Sequence, residues 1–153
     1  MTSMDYDFIE LKTIKNELVA QIIALEQEAF GVGGMNEWFL PPFIRHGRVF
    51  IALHHGTVVA VAEYMRDFRD VQHAYLFGLV VHPAYRRRGI AKQLLSYAHE
   101  QLRSTGITSI SLTVAPNNHP AVALYEQMGF QVVDFLPNEY GSGNDRQMLY
   151  LEL

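Results

Sequence analysis

Apolar positions change their period along the chain, and each change marks an element. Tyr6–Leu11 is short and alternating, which predicts a first strand. Lys15–Phe30 sets Leu18, Val19, Ile22, Ile23, Leu25 and Phe30 at helical spacing, and Gly31-Val32-Gly33-Gly34 stops that helix. Trp38–His46, with Pro41-Pro42 near its start, reads as a second short helix. Val49–Leu53 and Val58–Met65 are β-branched runs on either side of His54-His55-Gly56-Thr57, so they predict a hairpin with its histidines in solvent. After the polar connector Arg66–His73, the apolar run Tyr75–Val81 predicts a strand buried on both faces.

The second half alternates more regularly. Ile90, Leu94, Leu95, Ala98 and Leu102 form the stripe of a helix closed by Gly106. Ile107–Val114 places Ile110, Leu112 and Val114 on one face, with Ser111 and Thr113 on the other. Pro116-Asn117-Asn118-His119-Pro120 stops one element and starts another, with asparagine at the cap and proline in the first turn. The helix that follows turns Ala121, Leu124, Tyr125 and Met128 inward and ends at Gly129. Phe130–Leu136 and Gln147–Leu153 are the final strands, joined by the turn-rich Pro137–Arg146. The order βααβββαβαββ is a mixed α/β fold with parallel crossover units only in its second half.

Composition narrows the class. A chain of 153 residues, 49% hydrophobic, is expected to form a single domain, 1–153, with a substantial core. With no cysteine, disulfides and thiolate chemistry are excluded. A net charge of −4 and a pI near 5.9 argue against nucleic-acid binding, because the arginines cluster locally. Met1–Leu11 lacks the basic and apolar regions of a signal peptide, and no apolar run nears the roughly 20 residues that span a bilayer. A soluble cytoplasmic protein without membrane contact is expected. The paired histidines have no partner at ligand spacing, so no metal is expected.

The candidate chemistry gathers in Leu76–Lys92, LFGLVVHPAYRRRGIAK, a strand, a tight basic turn and a helix start. The first amides of a helix lack acceptors and the macrodipole makes that end positive, so phosphate is its natural occupant. Amides of Arg87, Arg88, Gly89, Ile90 and Ala91 can donate to a pyrophosphate, and the guanidinium groups of Arg86, Arg87 and Arg88 can reach further phosphates. Three arginines at this end oppose the dipole, which disfavours a merely solvated helix start. Neither the P-loop pattern nor the dinucleotide glycine fingerprint is satisfied by these residues.

Val81-His82-Pro83-Ala84-Tyr85-Arg86-Arg87-Arg88-Gly89-Ile90-Ala91 resembles the acyl-CoA-binding motif of the GCN5-related N-acetyltransferases (GNAT), Arg/Gln-x-x-Gly-x-Gly/Ala. About thirty residues later, Asn118-x-x-Ala121-x-x-Leu124-Tyr125-x-x-x-Gly129-Phe130 resembles that family's second motif. The resemblance covers Val49–Leu153 well and is loose over the first helices. It implies the GNAT fold: a mixed central sheet of six or seven strands, about four flanking helices, and a parallel strand pair, Tyr75–Val81 and Ile107–Val114, that splays apart. It further implies acetyl-CoA as cosubstrate, with Leu79, Val80 and Val81 offering backbone groups to the pantetheine arm. Arg87 to Lys92 would cradle the pyrophosphate, and Asn118 would contact the pantetheine or adenosine side.

The resemblance makes Tyr125 the acid that protonates the departing thiolate. Otherwise it reads as a core tyrosine at helical spacing. An amine would attack the thioester directly, its carbonyl oxygen polarised by an amide near Val80. Ribosomal-protein acetyltransferases of the family carry a glutamate where this chain has Thr113, so the base is sought elsewhere: Glu63 first, whose apolar neighbours would raise its pKa, then Tyr75 through water. Pro137–Arg146 resembles the tyrosine- and glycine-rich loop that flanks the peptide end in protein N-terminal acetyltransferases, here with Tyr140 as its one tyrosine. An acidic pocket from Glu28, Glu37, Glu63, Glu139 and Asp145 would instead suit a cationic small amine. The acceptor is thus a primary amine, of a small molecule or of a peptide or protein N-terminus. The family resemblance also implies pairing through the last strands as a homodimer. The rival expectation is a non-catalytic acyl-CoA-binding sensor or regulatory module.

Overall fold

The structure, a computed structural model, describes residues 5–153. Its elements follow the expected order, and seven strands of the described residues hydrogen-bond in the order β1-β2-β3-β4-β5-β7-β6. The chain divides into two compact units, one taking in residues up to Met65 together with Gly78–Gln101, the other Arg66–Phe77 with Leu102–Leu153.

In the first unit, β1 (Asp7–Leu11) pairs antiparallel with β2 (Arg48–His54), which pairs antiparallel with β3 (Thr57–Arg66). Helices α1 (Asn16–Phe30) and α2 (Leu40–His46) bring Val19, Ile22, Leu25, Leu40 and Ile44 onto Val49, Ile51 and Val61 of the sheet. Each such side chain, once buried, contributes about 1.5–3 kcal/mol. Helix α3 (Ile90–Ser104, of which the part up to Gln101 belongs here) buries Ile90, Leu94, Leu95 and Ala98 of the predicted stripe, and Leu102, in the second unit, is buried as well.

The hairpin forms where predicted, with one correction. His55 is exposed in a left-handed turn position, but His54 is half-buried, its Nδ1 2.9 Å from the Tyr85 hydroxyl. Adjacent residues of a turn leave a strand in different directions, so a shared composition does not impose a shared environment.

In the second unit, β4 (His73–Val81, of which His73–Phe77 belongs here) pairs in parallel with β5 (Ser109–Val114). The register covers His73↔Ser109, Ala74↔Ile110 and Tyr75↔Ser111 and ends there, although β5 continues to Val114. His73 clamps this short stretch, its two ring nitrogens each 2.7 Å from a serine hydroxyl, Ser109 and Ser111. Beyond β5 lie β7 (Arg146–Glu152) and the outer β6 (Gln131–Leu136), both antiparallel, and α4 (His119–Gln127) precedes β6.

Strand β4 corrects a second expectation. Ala74, Leu76 and Val80 are buried, whereas Tyr75, Leu79 and Val81 are half-exposed and Phe77 is 43% exposed. The strand is covered on one face. Its open face is as apolar as its covered one, so composition alone could not separate the two. No helix among the described residues is long and apolar enough to cross a membrane.

Candidate active site

The basic turn is built as the sequence suggests. A single 3₁₀ turn, Pro83–Tyr85, is capped by His82, whose Nδ1 accepts from the Ala84 N–H at 3.0 Å. Tyr85 turns back to His54 and carries the Arg88 guanidinium 5.2 Å above its ring. Arg87 and Gly89 both take positive φ, 63° and 76°, so the chain makes a concave curl before α3. Gly89 meets that geometry at no steric cost, and Arg87 does not.

Buried Ile90 then fastens the first turn of α3 to the core. The first amide of α3 that accounts for itself is Gln93, which donates to Gly89 O at 3.1 Å. Those of Ile90, Ala91 and Lys92 have no acceptor among the described residues, and no acidic side chain occupies the turn. Arg86, Arg87, Arg88 and Lys92 are exposed around it. This is a cationic cup of backbone donors, with the chemistry of a phosphate site.

The second unit gathers phenols. Tyr75 Oη lies 3.0 Å from Thr113 Oγ1, which also accepts from Arg146 Nε at 3.4 Å. Burial, chiefly, lifts the Tyr75 phenol to about 12; the Thr113 hydrogen bond pulls the other way and Tyr140 adds to the rise. Tyr125, 8% exposed, packs edge-on to Phe130 and is likewise raised to about 12 by burial, with the Arg146 charge opposing. Tyr140 is exposed, with the Arg146 guanidinium 4.9 Å from its ring centre. The loop that carries it is closed by Asn138, whose Oδ1 accepts from Gly143 N–H, and by Asp145, whose Oδ1 accepts from Asn138 N–H. Asn118 is exposed and caps α4, accepting from Ala121 N–H at 3.4 Å.

The acidic candidates divide. Glu28 and Glu37 are exposed in the first unit, and Glu139 is exposed in the second. Asp145 serves the loop. Glu63 is wholly buried, its carboxyl raised well above the usual range by burial and by the facing carboxyl of Glu26. Among the described residues, no three His, Asp or Glu side chains gather as metal ligands would.

Two residues of this chemistry escaped the sequence reading. Glu26 had a signal, since it sits four residues after Ile22 on the apolar stripe of α1. Arg146 had none: its partners Thr113 and Tyr140 are brought to it by strand pairing and loop closure.

Fold and site together define an α/β domain of the acyltransferase kind. Residues 15–130 match the acetyltransferase (GNAT) family, and the chain belongs to that family. It is similar to the [ribosomal protein bS18]-alanine N-acetyltransferase of Escherichia coli K12, 34% identical over 74 residues, 48% of this chain and 50% of the relative. It is also similar to the N-alpha-acetyltransferase MAK3 of Arabidopsis thaliana, 34% identical over 103 residues, 67% of this chain and 54% of the relative. The chain spans about half the length of the curated relatives it matches. Among solved structures it resembles the NatC complex bound to Gag peptide and CoA, at 25% identity and a TM-score of 0.83, covering 98% of this chain and 99% of that one.

Proposed function

We propose that this chain is an acetyl-CoA-dependent N-acetyltransferase acting on the amino terminus of a peptide or protein, as a single domain. The observation that carries this reading is the row of unacceptored amides, Ile90 to Lys92, in a cup ringed by Arg86, Arg87 and Arg88. A pyrophosphate there would leave Leu79, Val80 and Val81 to hold the pantetheine arm by their backbone, with Asn118 on the arm or the adenosine. The open face of β4 supports this, because its half-exposed positions include Leu79 and Val81. No metal is needed for this chemistry.

The neutral amine attacks the thioester carbon. The C–N bond forms, the C–S bond breaks, and the Val80 amide polarises the carbonyl oxygen. The proton shed by the amine passes to water held by the Tyr75 hydroxyl, and the departing sulfur takes a hydrogen bond from Tyr125. A phenol raised to about 12 gives up its proton to a thiolate only at a cost of roughly 1.4 kcal/mol per unit of mismatch, so Tyr125 acts mainly as a hydrogen-bond donor. Tyr75 is preferred to Glu63 at the amine because it is half-exposed, whereas Glu63 has no exposed surface.

Three features favour a peptide end over a small polyamine. The relatives bearing on this chain are described as acting on alanine of a ribosomal protein and as an N-alpha-acetyltransferase. Tyr140 stands exposed on its loop, backed by Arg146. The acidic side chains of each unit are scattered or buried. Outer strand β6 exposes Val132, Val133 and Phe135, which supports pairing of two copies along it, and the absence of cysteine suits the cytoplasm.

The test is thiol release from acetyl-CoA with a panel of peptides of varied first residue beside small amines. Release with peptides supports the reading. Release with small amines alone would replace the acceptor, and CoA binding without any release would make the chain an acyl-CoA sensor.

A further inference from the structure

Glu63 on β3 and Glu26 on α1 are 0% and 2% exposed. Glu26 Oε2 accepts from the Met35 N–H at 3.3 Å, in the segment between α1 and α2. Gly34 makes that approach practicable, since a Cβ there would stand 2.5 Å from the Glu26 carbonyl oxygen. The remaining oxygens, Glu26 Oε1 and both of Glu63, are sealed from solvent and have no hydrogen-bond partner among the described residues. Both carboxyls press on one point of β4: a Cβ at Gly78 would lie 2.6 Å from Glu63 Oε2 and 3.7 Å from Glu26 Oε1.

Two carboxylates in such surroundings are untenable. A buried charge without a partner costs far more than a lost hydrogen bond, and a second like charge beside it adds repulsion. One proton removes both problems. Glu63 as the acid donates its O–H to Glu26 Oε1, which gives partners to two of the three orphaned oxygens. The Met35 N–H already donates to Glu26 Oε2, so the charge that the pair keeps has a donor beside it. Glu26 is the titratable group that acts on Glu63; β2 sets Val49 opposite it and β4 brings Gly78 beside it.

We propose that Glu26 and Glu63 hold one proton between them, and that this proton ties the α1–α2 segment at Met35 to β3 beside Gly78. The pair is a latch set by pH. A carboxyl whose folded pKa lies above its unfolded value favours folding most at low pH. That advantage fades as pH climbs from the ordinary carboxyl range through the raised value. No reacting group takes part, so the latch stands or fails independently of acetyl transfer.

The test uses the full chain with its glutamate side chains labelled with ¹³C and titrated by NMR. One carboxyl is expected to titrate well above the others, and Glu63→Gln, which keeps a donor to Glu26 without a charge, should remove that signal. If every carboxyl titrates in the ordinary range near 4–5, the shared proton does not exist. Thermal unfolding gives a second reading. Between about pH 5 and pH 9 the wild type should lose roughly 4 °C or more relative to Glu63→Gln, the scale of about 1 kcal/mol or more in a domain of this size. Equal pH slopes would overturn the proposal. Should Glu63→Gln not fold, Glu26→Gln should lower the raised titration seen in the wild type, and an unchanged titration would overturn the sharing.

Discussion

Tyr75 and Thr113 meet hydroxyl to hydroxyl at 3.0 Å, Tyr75 being the last residue of β4 in parallel register with β5 and Thr113 lying two residues beyond its register partner Ser111. Thr113 also takes the Arg146 Nε, so one threonine oxygen joins a phenol of β4 to a guanidinium of β7. A carboxylate at this position would place a charge beside Arg146, whereas the threonine hydroxyl is neutral.

That pair of contacts sets the first expectation. Thr113→Val keeps the shape but removes the acceptor of Arg146 and the partner of Tyr75. The Tyr75 contact is a neutral hydrogen bond, whose loss costs about 1 kcal/mol, and the contact from Arg146 is long at 3.4 Å, so turnover should fall roughly fivefold or more with CoA affinity unchanged. Steady-state kinetics with a peptide acceptor and CoA titration calorimetry measure the two separately. A change confined to CoA affinity would place Thr113 elsewhere in the mechanism.

Tyr125→Phe removes the phenol that the proposed mechanism sets against the leaving sulfur. Turnover should drop about 10²-fold, the scale of one donor lost from a charge-stabilising site, with little change in CoA binding. The pH profile carries the sign. Burial raises both Tyr75 and Tyr125 to about 12, so both remain protonated well above neutrality. Turnover should therefore climb as the amine deprotonates and hold level to about pH 10. A fall between pH 8 and pH 9 that vanishes in Tyr125→Phe would show the phenol ionising there.

Gly89→Glu tests the cup. The backbone at φ 76° disfavours any side chain, by roughly 1–2 kcal/mol, and a carboxylate beside the Ile90–Lys92 amides repels phosphate. CoA affinity should fall at least 100-fold by calorimetry while the fold, followed by circular dichroism, survives. Retained affinity would move the pyrophosphate away from this turn.

Gly34 and Gly78 should differ in their tolerance of a methyl group. At Gly34 the obstacle is the fixed carbonyl of Glu26 at 2.5 Å, and at Gly78 it is the end of the Glu63 side chain at 2.6 Å. Gly34→Ala should cost about 2–3 kcal/mol in urea unfolding, the upper part of the overpacking range, and Gly78→Ala less. The reverse order would mean that Glu63 is held as rigidly as backbone.

What the sequence determined by itself was everything that repeats or clusters locally. The stripe Ile90, Leu94, Leu95, Ala98, Leu102 needs only the helical period, and the alternation of Ile110, Leu112 and Val114 needs only that of a strand. The curl Arg86–Ala91 is contiguous and its glycine has a backbone reason, so the shape of the turn and the family motifs could be read directly. Tertiary structure decided what depends on residues far apart in the chain. Glu26, Met35, Glu63 and Gly78 converge only once α1 lies on the sheet, and Arg146 reaches Thr113 only through strand pairing. His54 leaves solvent because Tyr6 and Tyr85 close on it. Period and composition describe a residue's own segment, whereas burial and the state of a carboxyl are set by whatever the fold packs against it.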